Sequence, residues 1–146
     1  MLPIVVGPWV VACALRRCDL DLLEIREVFR ALAQELTAHM MKEEMILFPY
    51  IVSMEAAVTR KEIIARGPFG SVQNPVSMME HEHDSAGNAL RAMRQATNGY
   101  SAPADSCVSY QTLYKALAIL EADLHQHIHL ENNILFPRAI AIETGR

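Results

Sequence analysis

The sequence predicts an all-α protein, a bundle of long amphipathic helices. Three observations carry that prediction. Apolar residues recur at steps of three and four over three long stretches, no stretch alternates with the period of two that a half-buried strand needs, and the stretches are separated by short Pro/Gly breaks. Long helices joined by short connections pack side by side.

The first ladder reads Leu22, Ile25, Phe29, Leu32, Leu36, His39, Glu43, Leu47, Tyr50. Proline removes a backbone donor and crowds the preceding turn, so Pro49 is expected to kink or interrupt this helix. Helix then resumes through Met54 to Ala65, and Arg66-Gly67-Pro68-Phe69-Gly70 stops it. The second ladder reads Val76, Met79, His83, Ala86, Leu90, Met93, Thr97, opened by Asn74-Pro75 and closed by Asn98-Gly99. The third reads Tyr110, Leu113, Leu117, Leu120, Leu124, His127, Glu131, Leu135, starting near Ala102-Pro103 and running to Pro137 or slightly beyond.

A chain of 146 residues, 51% hydrophobic and 21% charged, is long enough for one domain with a real core. A net charge of −4 without a basic stripe argues against nucleic acid as a partner. Cys13, Cys18 and Cys107 are odd in number and form no Cys-x-x-Cys pair, which points away from a disulfide scaffold and towards a reducing cytoplasm. Residues 1–15 are strongly apolar but too short for a membrane span, which takes about 20 residues. Arg16 and Arg17 follow this run instead of preceding it, unlike a signal peptide, and the lipoprotein-like box at Cys13 lacks its basic leader. Residues 1–18 are therefore set apart as a loosely packed apolar segment, with residues 19–146 as the domain.

The chemistry lies in a repeat. Residues 39–49 (HMMKEEMILFP) reappear as residues 127–137 (HIHLENNILFP), each with His four before Glu and Glu four before Leu-Phe-Pro. Four residues rise about 6 Å on a helix, so each His and Glu share a face. His39, Glu43, His83, His127 and Glu131 all stand on rungs of the apolar ladders. A single His there is ordinarily a hydrogen-bonded core residue. Five ionisable rungs on three helices are tolerable together when cations offset their burial. Two His/Glu pairs on facing helices would make a dinuclear metal site, and imidazole with carboxylate and no thiolate suits iron, manganese or zinc. His81, His125 and His129 lie off the rungs and read as surface residues. Glu44 and Glu82 read as solvated charges, and Glu35 and Asp84 as groups that could orient the imidazoles. The eight methionines read as core filling, and Tyr50, Tyr110 and Tyr114 as packing residues.

Three motifs in order resemble the iron–sulfur cluster repair di-iron proteins, a branch of the hemerythrin-like four-helix bundles. They are His39-x3-Glu43 with Leu47-Phe48-Pro49, Met79-Glu80-His81-Glu82-His83-Asp84, and His127-x3-Glu131-Asn132-Asn133 with Leu135-Phe136-Pro137. The resemblance covers roughly residues 19–141. It implies a hemerythrin-like up-down bundle and a non-haem di-iron centre, with His39, His83 and His127 as ligands and Glu43 and Glu131 as bridges. It also implies recovery of iron–sulfur proteins after nitrosative or oxidative stress, a cytoplasmic setting and a homodimer. The family carries two further histidine ligands on an earlier helix and linker, and a cysteine-bearing N-terminal region, whereas no histidine precedes His39. The chain thus reads as an N-terminally shortened member with five of seven ligands and three of four helices. An under-occupied iron site is expected, as is an apolar groove that residues 1–18 fill poorly or a second chain covers.

The leading reading is an iron donor for damaged iron–sulfur proteins, a metal-binding repair protein more than a classical enzyme. A second is an oxygen or nitric oxide binder or sensor. A ferritin-like di-iron enzyme ranks low because Glu80-x-x-His83 alone matches its Glu-x-x-His pattern. A shortened relic with impaired metal binding is the remaining alternative. No hydrolase triad order, phosphate-cradling glycine loop or His-Glu-x-x-His is present.

Overall fold

A computed structural model describes residues 20–104 and 106–145. Residues 1–18, with Cys13 and Cys18, lie outside the described residues, and so do the expectations placed on them. Among the described residues all regular elements are helical. In order they are α1 (Leu20–Lys42), a π-helical turn π1 (Glu43–Leu47), α2 (Phe48–Arg60), α3 (Gln73–Ala96), α4 (Val108–Leu130), a second π-helical turn π2 (Glu131–Leu135) and α5 (Phe136–Thr144). The three long helices of the sequence reading are present and the fold class is all-α, as a helical bundle requires.

Pro49 does not interrupt the first helix. The chain passes from α1 through π1 into α2 without a break, and Pro49 sits in the first turn of α2. In the π turn the Phe48 N–H donates to the Glu43 carbonyl, five residues back. An α-helical proline would lack a donor and press its ring on the carbonyl four residues earlier. The wider turn shifts the hydrogen-bond register just before the proline, which then stands in the first turn of α2, where proline is tolerated. The second copy of the repeat solves the same problem identically: the Phe136 N–H donates to the Glu131 carbonyl, and Pro137 opens α5. Helix therefore runs well beyond Pro137, to Thr144.

Two boundaries differ from the sequence reading. The helix through Met54 ends at Arg60, not Ala65. Lys61 turns left-handed (φ 55°), its N–H donates to Val58 O (3.0 Å), and the Glu62 N–H donates to Ala57 O (2.9 Å), closing the helix with paired reverse bonds. At the other boundary Ser106 folds back on the Pro103 carbonyl through its N–H (3.0 Å) and its hydroxyl (2.6 Å), so α4 begins only at Val108.

The chain divides into two compact units. One joins the described residues up to Ala33 with Gly87–Gln126, and the other joins Gln34–Ala86 with the described residues from His127 on. In the first, Leu22, Ile25, Leu32, Leu90, Met93, Leu113, Leu117, Leu120 and Leu124 are buried, as the ladders require. In the second, Leu47, Ile51, Met54, Val72, Val76, Met79, Phe136 and Ala139 form one apolar cluster. Glu143 ties this unit together by accepting from the Val72 N–H (2.9 Å), the Ser71 hydroxyl (2.7 Å) and the Tyr50 hydroxyl (3.2 Å). The methionines divide: Met54, Met79 and Met93 are core, whereas Met41, Met45 and Met78 are exposed.

Candidate metal centre

All five residues singled out in the sequence belong to the second compact unit, and the fold brings them together. His39 lies in the last turn of α1 and Glu43 opens π1. His127 lies in the last turn of α4 and Glu131 opens π2. His83 comes from the middle of α3. Nitrogen or carboxylate oxygen atoms of His39, Glu43, His127 and Glu131 all lie within 4.8 Å of one another. His83 joins them, its Nε2 standing 3.1 Å from His39 Nε2 and 3.1 Å from Glu131 Oε2. Two ligands on opposite sides of one cation are about 4 Å apart, so this spacing needs little adjustment to close on an ion.

Each carboxylate lies between imidazoles of two helices. Glu43 Oε1 is 3.1 Å from His39 Nε2, and its Oε2 is 3.9 Å from His127 Nε2. Glu131 Oε2 is 3.1 Å from His83 Nε2 and 3.2 Å from His127 Nε2. His39, Glu43, His83 and Glu131 are buried, and the His127 side chain is 32% exposed, which gives the cluster one side near solvent.

The charges are strongly coupled. Burial opposes ionisation of Glu131, but the imidazoles of His127 and His83 outweigh it and pull the carboxyl down to about 2. The Glu131 carboxylate raises the pKa of His127 against the opposing effect of burial. Burial likewise opposes protonation of His39, and the Glu43 and Glu82 carboxylates overcome it.

A cation fits this donor set. Glu43 Oε1 and Glu131 Oε2 are fully buried and make no hydrogen bond, although ring nitrogens stand 3.1 Å away. An orphaned buried carboxylate oxygen is costly. The His39 and His83 Nε2 atoms also face each other at 3.1 Å, where two lone pairs repel unless a proton or a metal ion lies between them. Three imidazoles and two carboxylates are a mixed nitrogen/oxygen set suited to iron, manganese or zinc.

The surroundings hold residues that the sequence reading misplaced. Glu82 is not a solvated charge. It is half-buried, accepts from His39 Nδ1 at 2.8 Å, and binds Lys42 Nζ with its other oxygen. Asn132, in the Glu-Asn-Asn run, places its Oδ1 2.7 Å from His83 Nδ1. Phe136 stacks parallel on the His83 ring with centroids 5.9 Å apart. By contrast Glu35 accepts from the Ser85 hydroxyl (3.0 Å), not from an imidazole, and Asp84 is exposed. His81, His125, His129 and Glu44 are exposed, as read. Glu82 carried a faint signal, since it directly precedes a rung histidine. Which neighbouring helix it faces depends on packing.

The sequence matches the hemerythrin HHE cation binding domain over residues 11–139. It is 42% identical to the iron-sulfur cluster repair protein YtfE of Pectobacterium atrosepticum over 110 residues, 75% of this chain and 44% of that protein. The proteins of the same name from an Enterobacter species and from Escherichia coli O81 are each 42% identical over 112 residues, 77% of this chain and 45% of theirs. The chain thus spans less than half the length of these curated relatives. Three helices that converge two His/Glu pairs and a further histidine, together with a sequence match over most of its length, place this chain in the hemerythrin HHE cation-binding domain family.

Proposed function

We propose that this chain houses a non-haem di-iron centre and serves the repair of iron–sulfur clusters damaged by nitrosative or oxidative stress, by supplying iron. His39, His83 and His127 are the nitrogen ligands and Glu43 and Glu131 the bridges. One observation carries the assignment: each glutamate stands between imidazoles from two different helices, as a bridging carboxylate must. The repair role draws on the similarity to the repair proteins named above. Damaged iron–sulfur proteins are then the partners, the cytoplasm is the setting, and the working form is a homodimer. No helix among the described residues is long and apolar enough to cross a membrane.

When bound, iron would supply Lewis acidity and one-electron redox chemistry. The protein's part is to orient and to enclose. The apolar cluster around Phe136 walls His83, and buried Leu47 closes the turn after Glu43. The partly exposed His127 leaves one edge through which an ion can leave. The same opening admits a diatomic gas, which keeps oxygen or nitric oxide binding as the second reading.

Iron content after anaerobic ferrous loading tests the centre, with Glu43→Ala/Glu131→Ala as comparison. Wild type is expected to retain iron and the double variant to lose it; equal iron in both would remove the assignment. Incubating loaded protein with a nitric-oxide-damaged iron–sulfur enzyme then separates the two functional readings. Recovered enzyme activity with stoichiometric loss of bound iron supports repair. A reversible spectral change with gas and no recovery supports the gas binder.

A further inference from the structure

Two rings of the cluster are each gripped at both nitrogens by consecutive residues of a neighbouring helix. On α3, Glu82 takes His39 Nδ1 (2.8 Å) while His83 meets His39 Nε2 (3.1 Å). On π2, Asn132 takes His83 Nδ1 (2.7 Å) while Glu131 meets His83 Nε2 (3.1 Å). Consecutive helical residues diverge by about 100°, enough to reach the two edges of one imidazole. Once a cation takes the Nε2 lone pair of His39, its Nδ1 keeps the proton, which the Glu82 carboxylate accepts. An amide oxygen on His83 Nδ1 sets the same tautomer there. The two backing groups differ in charge, and Lys42 anchors Glu82 through its second oxygen.

We infer that Glu82 and Asn132 are positioning residues that hold Nε2 of His39 and His83 as the metal-facing atoms, and that the carboxylate behind one ring and the amide behind the other make the two sides of the centre electronically unequal. A carboxylate draws its partner's N–H proton and makes that ring the more basic ligand, whereas an amide does so less. His39 is therefore the stronger donor, and the side it serves favours the more oxidised ion. This rests on the di-iron reading above and adds to it which residues tune the ions.

Nitrogen-15 NMR of the histidines in the zinc-loaded, diamagnetic protein reads the tautomers, and ferrous affinity with the reduction potential of the iron-loaded protein reads the tuning, for wild type, Glu82→Gln and Asn132→Asp. Wild type should show both rings protonated at Nδ1. Glu82→Gln should lose about 10- to 100-fold in iron affinity and shift the potential upward. Asn132→Asp, which places a carboxylate behind His83, should shift it downward. Opposite signs from two conservative changes are not what a merely structural role produces. A proton on Nε2 of either ring in wild type, or potentials that move together or stay put while wild-type iron content is kept, would overturn the inference and leave the centre standing. Failure of wild type to bind iron at all would overturn the di-iron reading and this inference with it.

Discussion

The two Leu-Phe-Pro segments should differ sharply in energetic weight although their sequences match. Phe136 is 0% exposed, stacks on His83, and sits among Leu47, Ile51, Met54, Val72, Val76, Met79 and Ala139. Its counterpart Phe48 is only partly buried and packs on the edge of the same cluster. Truncating a fully enclosed phenylalanine loses its transfer free energy and leaves a cavity that a close-packed neighbourhood fills incompletely, about 3–5 kcal/mol in all. A half-covered ring loses part of its burial and leaves no closed void, so Phe48→Ala should cost about 1 kcal/mol. At ~2–4 °C per kcal/mol for a chain of this size, Phe136→Ala should melt roughly 6–20 °C below wild type. The assay is urea unfolding of the metal-free protein followed by circular dichroism, so that metal binding does not enter the stability. Should Phe136→Ala prove too unstable to purify, Phe136→Leu nearly conserves volume and should cost less than about 1.5 kcal/mol. Equal losses for Phe48→Ala and Phe136→Ala, or a loss below about 1 kcal/mol for Phe136→Ala, would refute the packing argument.

Burial opposes ionisation of Glu121, but the Arg94 guanidinium, whose Nε donates to both carboxylate oxygens (2.9 and 3.1 Å), outweighs it and helps hold the carboxyl below its ordinary value of 4.5. Its contribution is therefore complete above pH 4.5 and fades as pH falls through the lowered value, so Glu121→Gln should flatten the acid side of a stability–pH curve below pH 4.5. An unchanged acid limb in that variant would contradict the coupling. Glu143→Ala removes the acceptor for the Val72 N–H at the start of α3, together with bonds from Ser71 and Tyr50. It should cost about 1–2 kcal/mol in chemical denaturation, as for other lost helix caps. Lys61 holds φ 55° at the end of α2, so Lys61→Gly should raise stability by about 1 kcal/mol; a loss of stability would show that its side chain matters more than its backbone.

The sequence by itself determined that the chain is helical and which stripes turn inward, and it singled out the five side chains that the fold brings together. Ladders of apolar rungs report local periodicity, and periodicity survives without knowledge of partners. His39, Glu43, His83 and Glu131 are buried because they share the stripe with Leu32, Leu47, Met79 and Leu124. Pro49 shows where local reading ends. Proline predicts a break in an α-helix, and the chain continues because it switches to a different hydrogen-bond spacing, paired in both copies with an inward-facing Glu at the first π position. Only the tertiary structure decided that Glu82 backs His39, that Asn132 backs His83, and that Phe136 and Phe48 are unequal. Those are contacts between residues 43 and 49 positions apart, or differences in how a neighbouring helix covers the same motif. They depend on the rotation of one helix against another, which no single helix's sequence encodes.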